Sequence, residues 1–274
     1  MDVTFMETLQ WKKILIPYEQ AVKELEVKFQ SIAHEYHTLN QYSPIELVTG
    51  RVKTISSILE KARKKNIPLS CIQDKIEDIA GIRIICQFVE DIDKVVALIR
   101  ERDKKDLWIV EEKDYITHTK ASGYRSYHII IQYPVHTALG EKKVLAEIQI
   151  RTLAMNFWAT IEHSLRYKYK QNMPMEINGR LLKAAEAAFK LDQEMSAIRS
   201  EILEAQELFQ VRSNIVADIM KNIENLHVTG NLSEAEDIQR QFLKLWKEGD
   251  LQKLKNFNQQ LDMIVQIYDV QSLS

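Results

Sequence analysis

The chain has 274 residues, of which 45% are hydrophobic and 28% are charged, and its net charge is −2. That length suits one large domain, or one domain with an appendage, and the low net charge excludes a global basic field for nucleic acid. No apolar run approaches the roughly 20 residues that a membrane-spanning helix needs. The two cysteines make no disulfide framework, and the first residues do not resemble a signal peptide. We therefore expect a cytoplasmic protein without a membrane span.

The first predicted elements are helices. Residues 5–39 carry apolar side chains at helical spacing, and we expect this helix to break near Pro17. Residues 51–65, placed on a helix, put Lys53 and Lys61 on the side opposite the apolar arc. Two interpretations stay open: an ordinary amphipathic helix with a solvated basic face, or a face that binds a triphosphate.

The middle of the chain predicts strands separated by a helix. Residues 82–88 are rich in β-branched side chains and are expected to form a strand, with Arg83 on one face and Asp78 at its mouth. Residues 91–102 show helical spacing of apolar side chains. A short strand is predicted over 107–110. A carboxylate at the mouth of a strand is a candidate metal ligand.

A loop and another strand follow. The polar run 111–122 predicts a mobile loop. A strand is predicted from Tyr124, and Pro134 is expected to stop it. An aromatic residue that follows a glycine and is flanked by Lys120 and Arg125 suits the stacking of a nucleobase beside phosphates. A hairpin whose aromatic side chain serves only packing explains the same pattern.

The stretch Val144–Arg151 predicts a strand with two distinct faces. Its even-numbered residues are apolar, and Glu147, Gln149 and Arg151 alternate with them, about 7 Å apart by strand rise. An acid, an amide and a guanidinium in one row can bind a metal, a base edge and a phosphate. The solvated face of an antiparallel edge strand is the other interpretation.

Helices are predicted for the rest of the chain. One runs over 152–169, and another begins near residue 177. The second carries apolar residues at alternating spacings of three and four, which indicates a coiled-coil-like seam against the sheet or another subunit. The seam comprises Leu181, Ala184, Ala188, Leu191, Met195, Ile198, Ile202, Ala205 and Phe209. We expect a domain over 1–210 and a helical extension over 211–274.

Taken together, these elements predict an α/β (α+β) chain with a mixed sheet of about five strands flanked by helices. Neither glycine-rich phosphate loop, nor the Gly-x-Ser-x-Gly elbow of many hydrolases, occurs in the sequence. Two separated acids remain, Asp78 and Glu147, with basic residues around them. Carboxylates that hold Mg²⁺, cations that neutralise charge and an aromatic seat for a base are what phosphoryl-type transfer needs.

Several motifs occur in an order that resembles the synthetase domain of RelA/SpoT-type alarmone enzymes. The similar segments are Gly50–Lys53 with Ser57, Asp78–Arg83, Gly123–His128, Glu147–Thr152 and Asn156–Ala159 with Glu162 and His163. The resemblance covers roughly residues 10–205 and is nearest to the stand-alone, tetrameric small alarmone synthetases. It implies a nucleotidyltransferase-like fold without a hydrolase domain. The implied activity is that of a GTP pyrophosphokinase, which moves pyrophosphate from ATP to the 3′-hydroxyl of GDP or GTP in the stringent response.

The resemblance also implies a role for each matching residue. Asp78 and Glu147 would hold Mg²⁺, and Glu147 would activate the ribose hydroxyl. The ATP-binding set would be Arg51 and Arg83, on either side of the adenine, with Lys53, Ser57 and Lys61 on the phosphates. For GDP or GTP, the set would be Tyr124 stacked on guanine, Gln149 and Asn156 on its edge, and Lys120, Arg125 and His128 on phosphates.

Three positions depart from the pattern of relatives that their own product activates. Those relatives carry an aromatic residue near Leu47 and lysines near Glu26 and Gln30. An aliphatic residue, an acid and an amide stand here instead, so we do not expect the product to activate this chain.

Two other functions are compatible with the residues. The first is another nucleotidyltransferase on a related sheet, which would use a different acceptor. The second is a regulator that binds single-stranded RNA through a patch of Lys53, Lys61, Arg63 and Lys64. The two acids, Asp78 and Glu147, favour an enzyme, because carboxylates repel phosphate unless a metal is present. Single-stranded RNA stays open as a regulatory partner, and DNA is not expected.

Overall fold

A mixed sheet of five strands is the centre of the first of two units. The computed structural model describes residues 3–138, 140–168 and 174–272, and the chain divides into units 1–196 and 197–274. The division that we expect from the sequence, between residues 210 and 211, stays a prediction.

The elements of the first unit alternate between helices and strands. In chain order they are α1 (Val3–Thr38), β1 (Leu47–Val52), α2 (Ile55–Lys64), a 3₁₀ turn (Leu69–Cys71), α3 (Ile72–Lys75), β2 (Ala80–Cys86), α4 (Val89–Arg100), β3 (Trp108–Asp114), β4 (Tyr127–Thr137), β5 (Gly140–Thr152), α5 (Leu153–Lys168) and the first part of α6 (Met175–Val228). The strand order is β1-β2-β5-β4-β3. β2 and β5 are parallel, and the other three pairings are antiparallel. The predicted fold class is confirmed.

The sheet has an apolar face and a polar face because side chains alternate along each strand. The apolar face of β5 is fully buried at Ala146, Ile148 and Ile150. It shares one hydrophobic core with the buried side of α1, which includes Leu25 and Phe29. The predicted face assignment in β5 is therefore confirmed, and the polar residues of the strands lie on the opposite side.

The predicted break in the first helix does not occur, because α1 continues through Pro17. A proline inside a helix removes one backbone hydrogen bond and costs roughly 3 kcal/mol. The next residues, Tyr18, Ala21 and Val22, are buried in the core. Burial of these side chains offsets the lost hydrogen bond and keeps the helix in one piece.

The helix that the sequence predicts from Arg51 is wrong at its start. Residues 47–52 form β1, in which Arg51 pairs with Gly81 of β2. α2 begins only at Ile55, after Thr54 caps it by accepting a hydrogen bond from the backbone of Ser57. Local periodicity continues from β1 into α2, and only the long-range pairing with β2 separates the two elements.

Two strands are longer than the sequence predicts. β3 extends to Asp114, because the charged side chains that suggested a loop have partners: Glu112 pairs with Arg100, and Lys113 pairs with Glu77. β4 continues through Pro134 to Thr137. The pairing of β3 with β4 ends at Gln132, so Pro134 lies where β4 has a free edge, and a proline is tolerated there.

The long helix α6 does not bury the predicted seam. Ala185 and Asp192 are its buried residues in the first unit, whereas Leu191 and Met195 are exposed. Ala185 packs with Trp158 and Ala159 of α5 in a small separate cluster. Ala188, a residue of the seam, also packs against this cluster. The packed face of α6 in this unit therefore overlaps the start of the seam and leaves Leu191 and Met195 outside it.

The second unit is a small helical domain with its own core. The last part of α6, α7 (Leu232–Glu248) and α8 (Leu251–Ser272) bury apolar residues from each helix, among them Ile219, Phe242 and Leu261. Gly249, at φ 74°, ends α7 in the left-handed conformation that glycine adopts without strain. The helical C-terminal extension that the sequence predicts is confirmed. None of the helices in the residues given above is long and apolar enough to cross a membrane.

A buried acid joins β5 to α6 within the first unit. Asp192 is 5% exposed and accepts a hydrogen bond of 2.6 Å from the hydroxyl of Thr152. Burial raises the pKa of Asp192 to about 6, and the Thr152 hydrogen bond opposes the shift. The folded chain therefore holds a proton at this site at a pH where the unfolded chain has released it.

We expect this acid to make the first unit less stable as pH rises. The stabilising effect of the raised pKa is fully present below the unfolded value of about 4, and it is lost as pH rises through about 6. The loss is roughly 2–3 kcal/mol for a shift of this size. Asp192→Asn stays neutral and can still accept from Thr152, so it should gain stability relative to the wild type between pH 4.5 and 7.5. Urea unfolding at both pH values measures this, and Asp93→Asn, at an exposed position, is the control. A stability difference independent of pH contradicts the assignment.

Candidate active site

The candidate site lies on the polar face of the sheet, where β1, β2 and β5 are neighbours. The parallel register places Gly81 beside Glu147 and Arg83 beside Gln149. The antiparallel register places Arg51 on the other side of Gly81. Because residues in register point to the same face of a sheet, Arg51, Arg83, Glu147 and Gln149 share one surface.

Asp78 lies just before β2 and is held by two lysines. Its carboxylate is 2.7 Å from the ammonium of Lys53 and 2.9 Å from that of Lys61. Burial raises the pKa of Asp78, but the hydrogen bonds and charges of both lysines outweigh burial and lower it. The structure thus brings together one predicted metal ligand and two predicted phosphate-binding lysines.

Glu147 lies in the centre of the site and uses both carboxylate oxygens. Oε1 is 3.0 Å from Nδ1 of His128, and Oε2 accepts from Nε2 of Gln149 at 2.6 Å. Burial raises the pKa of Glu147, but these partners lower it overall, with a smaller opposing effect from the charge of Asp78. The two predicted acids are therefore within electrostatic reach of each other, and neither is enclosed by apolar neighbours alone.

Aromatic residues and a lysine form the side of the site next to β4. The half-buried Tyr124 packs edge-to-face against His128, with ring centroids 5.8 Å apart. Tyr115 packs edge-to-face against both rings. The ammonium of Lys120 is 4.1 Å from the ring centroid of Tyr115 and 5.0 Å from that of Tyr124. The predicted combination of an aromatic ring and cations is therefore in place.

Arginine residues line the opposite side of the site. Burial lowers the pKa of Arg83, and the positive charges of Arg151 and Arg51 lower it further. The Nε atom of Arg83 is buried without a hydrogen-bond partner. Buried donors are nearly always satisfied in folded proteins, so an unsatisfied Nε on an arginine among like charges indicates a site for an anion or an aromatic ring.

The other predicted site residues lie on elements around the sheet. Ser57, in the first turn of α2, accepts a hydrogen bond from the hydroxyl of Thr54 at 2.9 Å. Arg125 places its guanidinium 4.2 Å from the ring centroid of Phe189 on α6. Asn156, in the first turns of α5, has a buried Oδ1 without a partner. Their predicted roles toward ATP and GDP or GTP stay predictions.

Gly123 fixes where the loop before β4 meets α6. Its φ of +84° suits glycine, and a Cβ built there would lie 2.6 Å from the Cβ of Ala185 and 3.0 Å from Leu182. The neighbouring cavity is lined by Arg125, Met155 and Trp158 among others. The loop that carries Lys120 and Tyr124 is therefore in van der Waals contact with α6 at a residue that has no side chain.

Two residues of the site make contacts that the sequence did not predict. Arg151 is 4% exposed and donates hydrogen bonds to Tyr124 and Gln149. Its place in the row after Glu147 and Gln149 was the signal, but its hydrogen bond to Tyr124, in the loop before β4, could not be predicted from that row. Tyr115 follows β3 in a segment taken for a mobile loop, and nothing in the sequence indicates its packing on Tyr124.

The two carboxylates fit a cation that is shared with a nucleotide. Within the part of the chain that the structure describes, no group of three or more His, Cys, Asp or Glu residues could hold a metal by itself. Mg²⁺ is usually bound by one or two carboxylates together with substrate phosphates. Asp78 and Glu147, beside two lysines, suit that kind of site.

Comparison with known proteins places the chain in a family. The family model described as a region found in RelA/SpoT proteins matches residues 50–172. The GTP pyrophosphokinase YjbM of Bacillus subtilis is 56% identical over 204 residues, which cover 74% of this chain and 95% of that protein. A second protein of that bacterium, the GTP pyrophosphokinase YwaC, is 41% identical over 209 residues and 99% of its own length, again covering 74% of this chain.

The fold also resembles a solved structure. The crystal structure of small alarmone synthetase 1 from Bacillus subtilis bound to its product pppGpp matches with a TM-score of 0.67 and 56% identity. The match covers 70% of this chain and 98% of that one. The sheet, the paired acids and these relatives lead to one conclusion: the chain belongs to the RelA/SpoT family and is one of its small alarmone synthetases.

Proposed function

We propose that this chain is a GTP pyrophosphokinase that makes (p)ppGpp for the stringent response. The observation that carries the proposal is the proximity of Asp78, held by Lys53 and Lys61, to Glu147, so that three separate stretches of the chain contribute to the site. The GTP pyrophosphokinases of Bacillus subtilis described above, and the related enzyme that binds pppGpp, support it. The location is expected to be the cytoplasm.

The reaction transfers the β- and γ-phosphates of ATP as one group. The 3′-oxygen of GDP or GTP attacks the β-phosphorus, the bond from that phosphorus to the α–β bridging oxygen breaks, and AMP leaves. Glu147 accepts the proton of the 3′-hydroxyl. A positioned general base typically contributes 10²- to 10⁴-fold to such a step.

On the ATP side, the site offers stacking surfaces and cations. Arg51 and Arg83 lie on the same sheet face and suit the two faces of an adenine ring, because guanidinium groups stack on aromatic planes. Lys53 and Lys61, with the Ser57 hydroxyl, suit the phosphates. When a triphosphate pairs with both lysines, the ion pairs that they make with Asp78 are broken.

The released Asp78, together with Glu147, is proposed to hold Mg²⁺. The ion would supply charge neutralisation at the transferred phosphates. Both carboxylates have lowered pKa values and are ionised at neutral pH, as a divalent cation requires.

On the acceptor side, the aromatic ring of Tyr124 is proposed to stack on guanine. Gln149 and Asn156 would contact the edge of the base. Lys120, Arg125 and His128 form the proposed phosphate-binding set. The lysine suits that role, since its ammonium already lies beside the ring of Tyr124.

Glu147→Gln should reduce turnover at least about a hundredfold while nucleotide binding persists, because the amide cannot accept the proton. AMP and (p)ppGpp formation from ATP, Mg²⁺ and GDP or GTP, followed by nucleotide chromatography, measures this. Glu141→Gln makes the same change at an exposed position of the same strand and should leave turnover unchanged. Near-normal turnover in Glu147→Gln removes the base assignment, and a product other than a 3′-pyrophosphorylated guanine nucleotide removes the proposed function.

Tyr124→Ala should chiefly weaken the binding of GDP, by about 1–3 kcal/mol for a lost base stack. Isothermal titration with GDP gives the affinity, and titration with a non-hydrolysable ATP analogue serves as the control, because the adenine site lies at β1 and β2. Unchanged GDP affinity contradicts the stacking assignment.

We further propose that the chain assembles as a homotetramer through α6. Leu191, Met195, Ile198, Ile202, Ala205 and Phe209 lie at alternating spacings of four and three. All six are exposed, and the larger five are between 40% and 73% exposed. A repeated seam of this kind is complementary to a second copy of itself. Single-stranded RNA as a regulator stays a prediction, and Lys53 and Lys61 of the proposed patch are engaged by Asp78.

The double variant Ile198→Lys and Ile202→Lys should dissociate this assembly, since two like charges would face each other across the seam. Light scattering after size exclusion should give about four times the chain mass of 32.0 kDa for the wild type and a lower mass for the variant. Glu201→Lys, an exposed polar position on the same helix, is the control. A monomeric wild type rejects the tetramer.

A further inference from the structure

A closed ring of hydrogen bonds includes the carboxylate of Glu147. The buried Arg151 donates from Nη2 to the hydroxyl of Tyr124 at 2.6 Å and to Oε1 of Gln149 at 2.5 Å. The hydroxyl of Tyr124 is 2.8 Å from Nε2 of His128. His128 and Gln149 then reach the two oxygens of Glu147, at 3.0 and 2.6 Å. Two chains of hydrogen bonds therefore start on one guanidinium nitrogen and end on one carboxylate.

The ends of these chains fix the direction of every hydrogen bond between them. A guanidinium has only donors and an ionised carboxylate has only acceptors. The Tyr124 oxygen accepts from Arg151, so its own proton is free to be donated to Nε2 of His128. A neutral imidazole that accepts at Nε2 carries its proton on Nδ1, which is the atom that faces Glu147. The geometry thus selects one tautomer of His128.

The burial of this ring indicates that its members are held in place. Arg151 is 4% exposed, and His128 is 6% exposed. Arg151 is fixed further by a hydrogen bond of 3.2 Å from Nε to the hydroxyl of Ser126, which in turn donates to the carbonyl of Ile150. Groups locked by such second contacts hold a catalytic side chain in one orientation.

We propose that the Tyr124 hydroxyl and His128 are positioning groups for Glu147, an inference that rests on the proposed function. Each oxygen of the carboxylate is held by one donor, which leaves the remaining lone pairs for the ribose hydroxyl and the metal. The ring of Tyr124 is the proposed seat of guanine, and its hydroxyl is the first link of the chain to Glu147. Tyr124 therefore connects the binding of guanine with the orientation of Glu147, the proposed general base.

A direct contact of His128 with phosphate is the other role that the family resemblance implies. The two roles differ in what the loss of the Tyr124 hydroxyl does. A phosphate contact needs no hydroxyl on Tyr124, so Tyr124→Phe would leave the kinetics unchanged or change only KM. A positioning chain loses its first link in the same variant while the aromatic stack is kept.

The kinetic test compares Tyr124→Phe with the wild type and with Tyr127→Phe. Tyr127 loses a hydroxyl that bonds to Glu112 and Arg100, outside the ring, so its kcat should match the wild type. Tyr124→Phe removes the hydrogen bond to His128 and the one from Arg151. We expect it to lower kcat by about threefold to tenfold, the effect of the lost link to His128, with the KM for GDP within about twofold. An unchanged kcat overturns the positioning role, and the synthetase function stands.

A second measurement reports on the chain without any turnover. Long-range ¹H–¹⁵N spectra of the free, labelled protein distinguish the two neutral tautomers of a histidine, and His128→Asn identifies the signals of His128. We expect the tautomer with the proton on Nδ1, and an Nε2 shift in Tyr124→Phe that is absent in Tyr127→Phe. The opposite tautomer in the wild type overturns the proposal, whereas a wild type without alarmone synthesis but with these spectra rejects only the proposed function.

Discussion

The charges of two neighbouring carboxylates are the constraint on which this site depends. Asp78 and Glu147 are both mostly buried and lie within electrostatic reach of each other, and burial alone would favour their neutral forms. Lys53 and Lys61 keep the first ionised, and hydrogen bonds from His128 and Gln149 keep the second ionised. In the nucleotide-free chain, the basic residues of the site therefore already stabilise the charges of the two carboxylates.

In this arrangement, a bound nucleotide has to separate the two lysines from Asp78 before the metal can bind. In the free chain the lysines occupy the carboxylate that is proposed to hold the metal. A polyphosphate offers the lysines a stronger partner, because several charged oxygens replace one carboxylate. Metal and nucleotide then enter as one unit, which agrees with a site that has too few protein ligands to hold Mg²⁺ by itself.

The sequence predicts those features of the site that one strand carries alone. The alternation in β5 places Glu147, Gln149 and Arg151 in a row, and the structure confirms this through their mutual hydrogen bonds. The motifs around Asp78 and Tyr124 also predict basic residues next to each of them, and the structure places lysines there. For β5 a local pattern is sufficient, because side-chain direction in a strand depends only on the position in it.

Features that need two distant segments escaped prediction. The helix predicted over 51–65 includes the last two residues of β1, since only the pairing with β2 makes Leu47–Val52 a strand. The link from His128 to Glu147 depends on the register between β4 and β5, which sets His128 against Gln149. One step of slip would turn His128 to the other face. The contact of Gly123 with Ala185 has a consequence of the same kind for natural variation. A methyl group gained at 123 would meet the Cβ of Ala185 at 2.6 Å and would also have to adopt a φ of +84°, which side chains rarely take. A smaller residue at 185 would relieve the first penalty and leave the second, so glycine at 123 is required by its own backbone as well as by its neighbour.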